Sequence, residues 1–167
     1  MDITKLSIKI PLFWCLGTIL LLSSCLKGTE YPDEPVIELI SMEFTDSIEP
    51  LLGNKMYIGI ITFGFTDGDG NIGVHPNDST ENMVVYEYGV VNGIDQAPID
   101  LSYSIPYVTP TGQNKSIKGE IDVELFLEPA PPKPHLYDTV YFELFIKDRS
   151  NNKSNIITTR QIVLSNL

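Results

Sequence analysis

From Val36 onward the apolar residues of this chain recur mainly at every second position. That is the period of a half-buried β-strand, not the 3.6 of a helix. The clearest case is 117–127, where Ile117, Gly119, Ile121, Val123, Leu125 and Leu127 alternate with Lys118, Glu120, Asp122, Glu124 and Phe126. One side of such a strand meets a core and the other meets water. Residues 137–147 repeat the pattern, with Val140, Phe142, Leu144 and Ile146 predicted inward. Residues 55–66 (KMYIGIITFGFT) are apolar on both faces at first, which predicts a central strand. Stretches 36–44, 83–91, 99–105 and 155–164 complete a set of seven, and no stretch carries a helical stripe. The expectation is an all-β fold, a single antiparallel Ig-like β-sandwich over 36–167, with a barrel of the same strands as the rival.

Turn chemistry marks the joints. Gly53-Asn54, Asn92-Gly93, Thr111-Gly112 and Asn151-Asn152 supply residues that tolerate positive φ. Ala130-Pro131-Pro132-Lys133-Pro134 lacks donors at its prolines and is expected to be a loop.

The first 24 residues follow a different pattern. Lys5 and Lys9 lie in a basic lead, and an apolar run PLFWCLGTILLL (11–22) precedes Ser23, Ser24 and Cys25. Twelve such residues are too few to cross a bilayer core, which needs ~20 in a helix. Basic lead, short apolar run and small residues are the anatomy of a secretory signal peptide. The ending Leu22-Ser23-Ser24-Cys25 resembles a bacterial lipobox, in which cleavage leaves the cysteine as a lipidated first residue. On that reading 1–24 is removed, Cys25 is the lipidation site, and 25–35 is the anchored cysteine and its tether. The segment LKGTEYPDEP (26–35) is polar and carries Pro32 and Pro35, as a tether should. An ordinary signal peptide, leaving Cys25 as a free thiol, is the alternative.

Charge and cysteine content narrow the class. The 167 residues carry 11 basic and 22 acidic side chains, a net charge of −11. A chain so acidic is not built to displace the counterions of nucleic acid. Loss of 1–24 removes Lys5, Lys9, Asp2 and Cys15, so the mature chain carries −12. With Cys25 lipidated, the domain holds no cysteine and stands on hydrophobic burial alone. It would be held at the membrane by lipid, since so negative a domain is not drawn to anionic headgroups. Leu26 after the cysteine resembles the outer-membrane sorting of enteric lipoproteins. Surface-exported lipoproteins of the Bacteroidota carry acidic residues at once after the cysteine; here the run is Leu26-Lys27-Gly28-Thr29-Glu30. The face of the membrane is left open.

Together with the lipobox, the segments FGFTDGDGNIG (63–73), YSIPYVTPTGQNKSIKGEI (103–121) and DRSNNKSN (148–155) resemble a group of uncharacterised Bacteroidota outer-membrane lipoproteins. The resemblance implies one Ig-like domain and an envelope address. It implies no catalytic residue, because the family offers none.

The most suggestive chemistry lies in Asp67-Gly68-Asp69-Gly70-Asn71-Ile72-Gly73. Oxygen ligands at alternate positions can wrap a hard cation such as Ca²⁺. An EF-hand is excluded: Ile72 stands where that loop needs glycine, Asp78 where it needs glutamate, and no helices flank it. In an Ig-like fold, however, the loops after 55–66 and 137–147 share one end. That would bring Asp148, and with it Asn151, to Asp67, Asp69 and Asn71. The alternative is a tight Gly/Asp turn that binds nothing.

Other candidates are weaker. His75 and His135 flank prolines on expected loops and lack partners for a zinc site. No nucleophile elbow or phosphate loop occurs. The row Glu120, Asp122 and Glu124 reads as a solvated face. Tyr86 with Tyr88, Tyr103 with Tyr107, and Tyr141 with Phe145 offer either aromatic binding surfaces or cross-strand pairs. Asp46-Ser47-Ile48, Asp78-Ser79-Thr80 and Asp138-Thr139-Val140 resemble Bacteroidota O-glycosylation acceptors. The expected function is a lipid-anchored, non-catalytic module of the cell envelope that binds a protein or glycan partner. A polysaccharide-active enzyme using surface carboxylates and a Ca²⁺-stiffened structural spacer are the two alternatives.

Overall fold

The computed structural model describes residues 29–48, 53, 55–108, 110, 115–127 and 137–163. Residues 1–24, with the basic lead and apolar run, Cys25, His135 and the expected turns at Thr111-Gly112 and Ala130–Pro134 lie outside the described residues. Among the described residues no helix is long and apolar enough to cross a membrane.

The described chain is all-β and antiparallel. Its strands are β1 (Val36–Ile48), β2 (Lys55–Asp67), β3 (Met83–Val91), β4 (Ile94–Asp95), β5 (Ile99–Asp100), β6 (Ile117–Leu127), β7 (Thr139–Ile146), β8 (Ile157–Thr158) and β9 (Ile162–Val163). One sheet runs β1-β2-β6 and the other β4-β3-β7-β8, with β5 on β3 and β9 on β7. This order is consistent with an Ig-like arrangement. As its two apolar faces predict, β2 is central, pairing with β1 and β6.

Both sheets contribute to one core. Ile61 and Phe63 of β2 and Leu125 of β6 meet Val85 of β3 and Val140, Phe142, Leu144 and Ile146 of β7, all nearly or wholly excluded from water. Each such side chain contributes ~1.5–3 kcal/mol on burial. The alternation read for β7 is strict, and on β6 Val123 and Leu125 are buried while Glu120, Asp122, Glu124 and Phe126 are exposed. On β3 a charged residue stands on the core side. The register sets Glu87 opposite the buried Phe142, and burial raises its carboxyl above the ordinary range.

Among the described residues there are nine strands where seven were expected, because 155–164 is broken into β8 and β9 and an additional β4 follows β3, while 99–105 keeps only the two residues of β5. In 99–105 the Asp100 carboxylate accepts from the Ser102 amide and hydroxyl, which ends β5 after two residues. The segment still follows β3, through Leu101 N to Val85 O and a mutual pair between Tyr103 and Met83. In 155–164 the Thr159 hydroxyl accepts from Phe142 N, and just before this stretch the Ser154 hydroxyl accepts from Ile146 N. Side chains there take the place of main-chain acceptors, and β8 and β9 remain as separate pieces. The extra strand β4 follows the Asn92-Gly93 turn, whose φ values of 51° and 78° suit a tight hairpin.

Candidate metal centre

β2 and β7 finish at the same end of the molecule, in different sheets. β2 ends on Asp67, and two residues after β7 comes Asp148. Oxygens of Asp67, Asp69 and Asp148 lie within 4.8 Å of one another. Two ligands on one Ca²⁺, each ~2.4 Å from the ion, can be at most ~4.8 Å apart, so the three carboxylates can share an ion. The sequence expectation for these three residues thus has its geometry.

The local chain makes that geometry. Asp67 Oδ2 accepts from Asn71 N at 2.9 Å, closing the DGDGN segment on itself. Gly70 sits at φ +66°, and a Cβ there would be driven into the Lys115 carbonyl. Only glycine reverses the chain at that point without a clash. Asn71 Nδ2 donates to Asp69 Oδ2 at 2.7 Å and to Ser150 Oγ at 3.0 Å, which ties the two loops together. On the other side Asp148 is held by Asn152, whose amide and side-chain nitrogens donate at 2.6 and 2.8 Å.

What the ring of contacts leaves over is informative. Asp67 is wholly buried and Asp148 is 5% exposed. Asp67 Oδ1, Asp69 Oδ1 and Asn71 Oδ1 are buried without any hydrogen-bond partner, and among the described residues no other side-chain atom is in that state. Buried acceptors left unmatched cost ~1–3 kcal/mol each, more when charged. Three of them on one five-residue segment, two belonging to the carboxylate cluster, form a set that a cation would satisfy. The arginine that follows Asp148 does not do so. Arg149 directs its guanidinium to the carbonyls of Ile72, Gly73 and Gly70, and lies over the Tyr107 ring at 4.3 Å. Burial accordingly pushes the Asp67 carboxyl up to about 6, against the Asn71 amide that lowers it and with Asp69 adding repulsion.

No family model, curated protein or solved structure matches this chain. Its reading therefore rests on its own residues.

Asn151 follows Asp148 closely, its amide donating to Asp148 O at 3.1 Å. It takes the positive φ of the turn, at 67°, and it is Ser150 and Asn152 that make the side-chain contacts. Four further contributions were not anticipated. Asn155 reaches across the sheets, accepting from Ile37 N at 2.8 Å and donating to Ile37 O at 2.9 Å. Asn82, 4% exposed, links Lys147 O to Ile105 N. Gly68 N donates to Pro32 O at 2.7 Å, so the entering chain is bonded to the loop of the cluster. Ser116 Oγ donates to Gly68 O. The density of Ser and Asn in DRSNNKSN is the one signal from which such a network was readable.

The remaining candidates resolve differently. A cleft of about 410 Å³ beside Asp148 is lined by His75, Asp78, Glu81, Lys147, Arg149 and Asn151 among others. Within it Asp78 is occupied by the Thr80 hydroxyl and amide, which hold its carboxyl below the ordinary range. His75 stacks on Tyr107 at 4.2 Å. Tyr88 and Tyr141 face each other across β3 and β7 at 4.9 Å and 6°, and Lys153 Nζ stands 3.7 Å over Phe145. These are the cross-strand alternative: the ring faces meet one another or a lysine. Thr139 of the Asp-Thr-Val motif is the first residue of β7.

Proposed function

We propose that this chain is a lipid-anchored, non-catalytic module of the cell envelope, an Ig-like sandwich whose anchored end is locked by Ca²⁺. The observation that carries the metal is the group of three buried oxygens without partners, on Asp67, Asp69 and Asn71, beside Asp148. The set is all oxygen, suits a hard cation, and joins loops from both sheets. The lipid anchor rests on Cys25 and its lipobox-like approach, and the outer membrane on Leu26.

The place of the cluster gives the ion a mechanical role. Anchor and tether precede β1, and Pro32 is bonded to Gly68, between two of the carboxylates. An ion joining Asp67, Asp69 and Asp148 would fix the β2–β3 loop, the β7–β8 loop and the end of the tether to one another. Thermal motion of the linker would then reach the domain through a rigid joint. The rest of the domain would be presented to its partner at a set angle.

Thermal unfolding of the chain from Lys27 onward, in millimolar Ca²⁺ and in EDTA, tests this. An ion bound only by the folded state, at ~100 times its Kd, adds ~2.7 kcal/mol, a rise in Tm of several degrees. Asp69→Ala should remove that rise without lowering the EDTA curve. Equal curves in calcium and in EDTA would return the segment to a turn without a ligand.

A further inference from the structure

On the side of β6 the molecule is one strand short. β6 pairs with β2 along one edge, and among the described residues no strand lies on the other. In an antiparallel strand alternate residues direct their main-chain groups to opposite edges. The Tyr103 hydroxyl donates to Glu124 O at 3.4 Å, so Glu124, and by parity Glu120 and Asp122, turn theirs away from β2. Val123 and Ile121 turn theirs toward it.

Across from that edge runs the 101–105 segment, bonded to β3 and so to the other sheet. Between the two edges is a groove of about 380 Å³. Its floor is the core itself: Met83, Ile105 and Val123 are at most 5% exposed. Its rim is acidic, from Asp122 and Glu124, with Glu120 exposed on the same face of β6. Phe126, 62% exposed, closes one end.

We infer that this edge receives an extended segment of a partner protein, paired with β6 and carrying alternating apolar and basic side chains. Main-chain groups in strand register that no strand pairs among the described residues, with Glu124 O met by the Tyr103 hydroxyl alone, call for a strand. An apolar floor takes every second side chain of that strand, and an acidic rim takes the others as Lys or Arg. A second copy of this chain would bring a net charge of −11 to an acidic rim. The segment following β6, EPAPPKPHL (128–136), has four prolines and cannot donate a ladder. The inference names a partner class for the binding module proposed above, but uses none of the carboxylates at the β2 end.

The test uses the full chain in mild detergent with Ca²⁺, and a capped heptapeptide of alternating Lys and Val, labelled for fluorescence anisotropy. A matched peptide with Glu for Lys is the control. The Lys peptide should bind saturably and slow hydrogen exchange at the amides of Glu120, Asp122 and Glu124, while the Glu peptide does neither. Asp122→Pro removes one outward amide and leaves the β2 ladder intact, so it should weaken binding by about tenfold or more. Glu120→Lys with Glu124→Lys, both exposed, should weaken it about tenfold and shift preference to the Glu peptide. This pair carries the test if the proline variant does not fold.

Equal binding of both peptides, binding without protection of those amides, or indifference to these variants overturns the inference. So does protection that appears with protein concentration alone, which would assign the edge to self-pairing. Loss of the calcium shift in Tm with peptide binding intact would remove the metal and leave this inference standing. The reverse result would remove this inference alone.

Discussion

Asp67, Asp69 and Asp148 lie within 4.8 Å of one another with two of the three buried, while Glu120, Asp122 and Glu124 alternate along the exposed face of β6. Both sets are three carboxylates on or beside β-strands. Successive members of the β6 row are two residues apart, ~6.8 Å along the strand, with water between. Their repulsion there is comparable with thermal energy. For the cluster, at ~4 Å and an effective dielectric constant of ~20, a pair repels by ~4 kcal/mol. A protein tolerates the first arrangement indefinitely. The second calls for a proton or a cation, and without one it leaves the acceptors of Asp67, Asp69 and Asn71 unmatched. Acidity alone therefore identifies nothing; burial and convergence separate a site from a solvated face.

The sharpest way to break this contrast is Asp67→Asn, which keeps the shape and the oxygen that accepts from Asn71 N but removes the charge. At pH 7 in EDTA the variant should melt higher than wild type, because a buried anion has been removed. In saturating Ca²⁺ it should melt lower, having lost most of the ~2.7 kcal/mol that a ligand at ~100 Kd supplies. Opposite signs in the two media, read by circular dichroism melts, would be hard to obtain from a simple turn. A drop of equal size in both would dissolve the difference between cluster and row.

Dependence on pH sharpens the same point. Burial, with Asp69 nearby, holds the Asp67 carboxyl at about 6 against an ordinary 3.8. Between those values the folded chain keeps a proton that the unfolded chain has already released. Stability in EDTA should thus be greatest below about pH 4 as far as this group is concerned, and should fall as pH rises through about 6. A bound cation replaces the proton, so the fall should be absent in Ca²⁺. The gap between calcium and EDTA melts should widen from pH 5 to 7. A constant gap would mean that Asp67 does not exchange a proton for the ion.

Much of this was legible in the sequence, and the reasons are specific. Period-two alternation gave β6 to the residue and the inward side chains of β7, because one wet face leaves no other pattern; the bounds of β3 were also met, although its burial does not alternate. The positive φ at Asn92, Gly93 and Asn151 followed from residue chemistry alone. The meeting of Asp67 and Asp148, 81 positions apart, followed only after a topology had been assumed. The short strands were not legible, since their boundaries depend on whether Asp100, Ser154 and Thr159 turn back on the main chain. Nor was the sharing of roles within DRSNNKSN, where Asn152 positions a carboxylate and Asn155 joins the sheets. Those side chains are alike in composition and differ only in what stands opposite.

Asn152 gives a smaller effect in the same direction. Its two bonds to Asp148 fix the third carboxylate without contributing an oxygen to the cluster. Asn152→Ala removes only the side-chain bond, so it should cost ~1 kcal/mol in EDTA. By loosening a ligand it should weaken Ca²⁺ by roughly 10–100-fold, as loss of an outer-shell contact commonly does. Calorimetric titration separates the two. An unchanged affinity would show that Asp148 needs no positioning, or takes no part.

The smallest effect is expected in the β6 row, and it is the control on which the comparison depends. Glu124→Gln removes one charge from a solvated face whose neighbours, Asp122 and Phe126, are exposed as well. Its stability should stay within ~0.5 kcal/mol of wild type, equally in Ca²⁺ and in EDTA. Any change should fade with added salt, because the screening length falls from ~10 Å in 0.1 M salt to ~3 Å in 1 M, well below the ~7 Å between these charges. If Glu124→Gln instead altered the calcium shift, the ion would not be confined to the β2 end. The row would then be part of its site, and the division drawn between buried and exposed carboxylates would not hold.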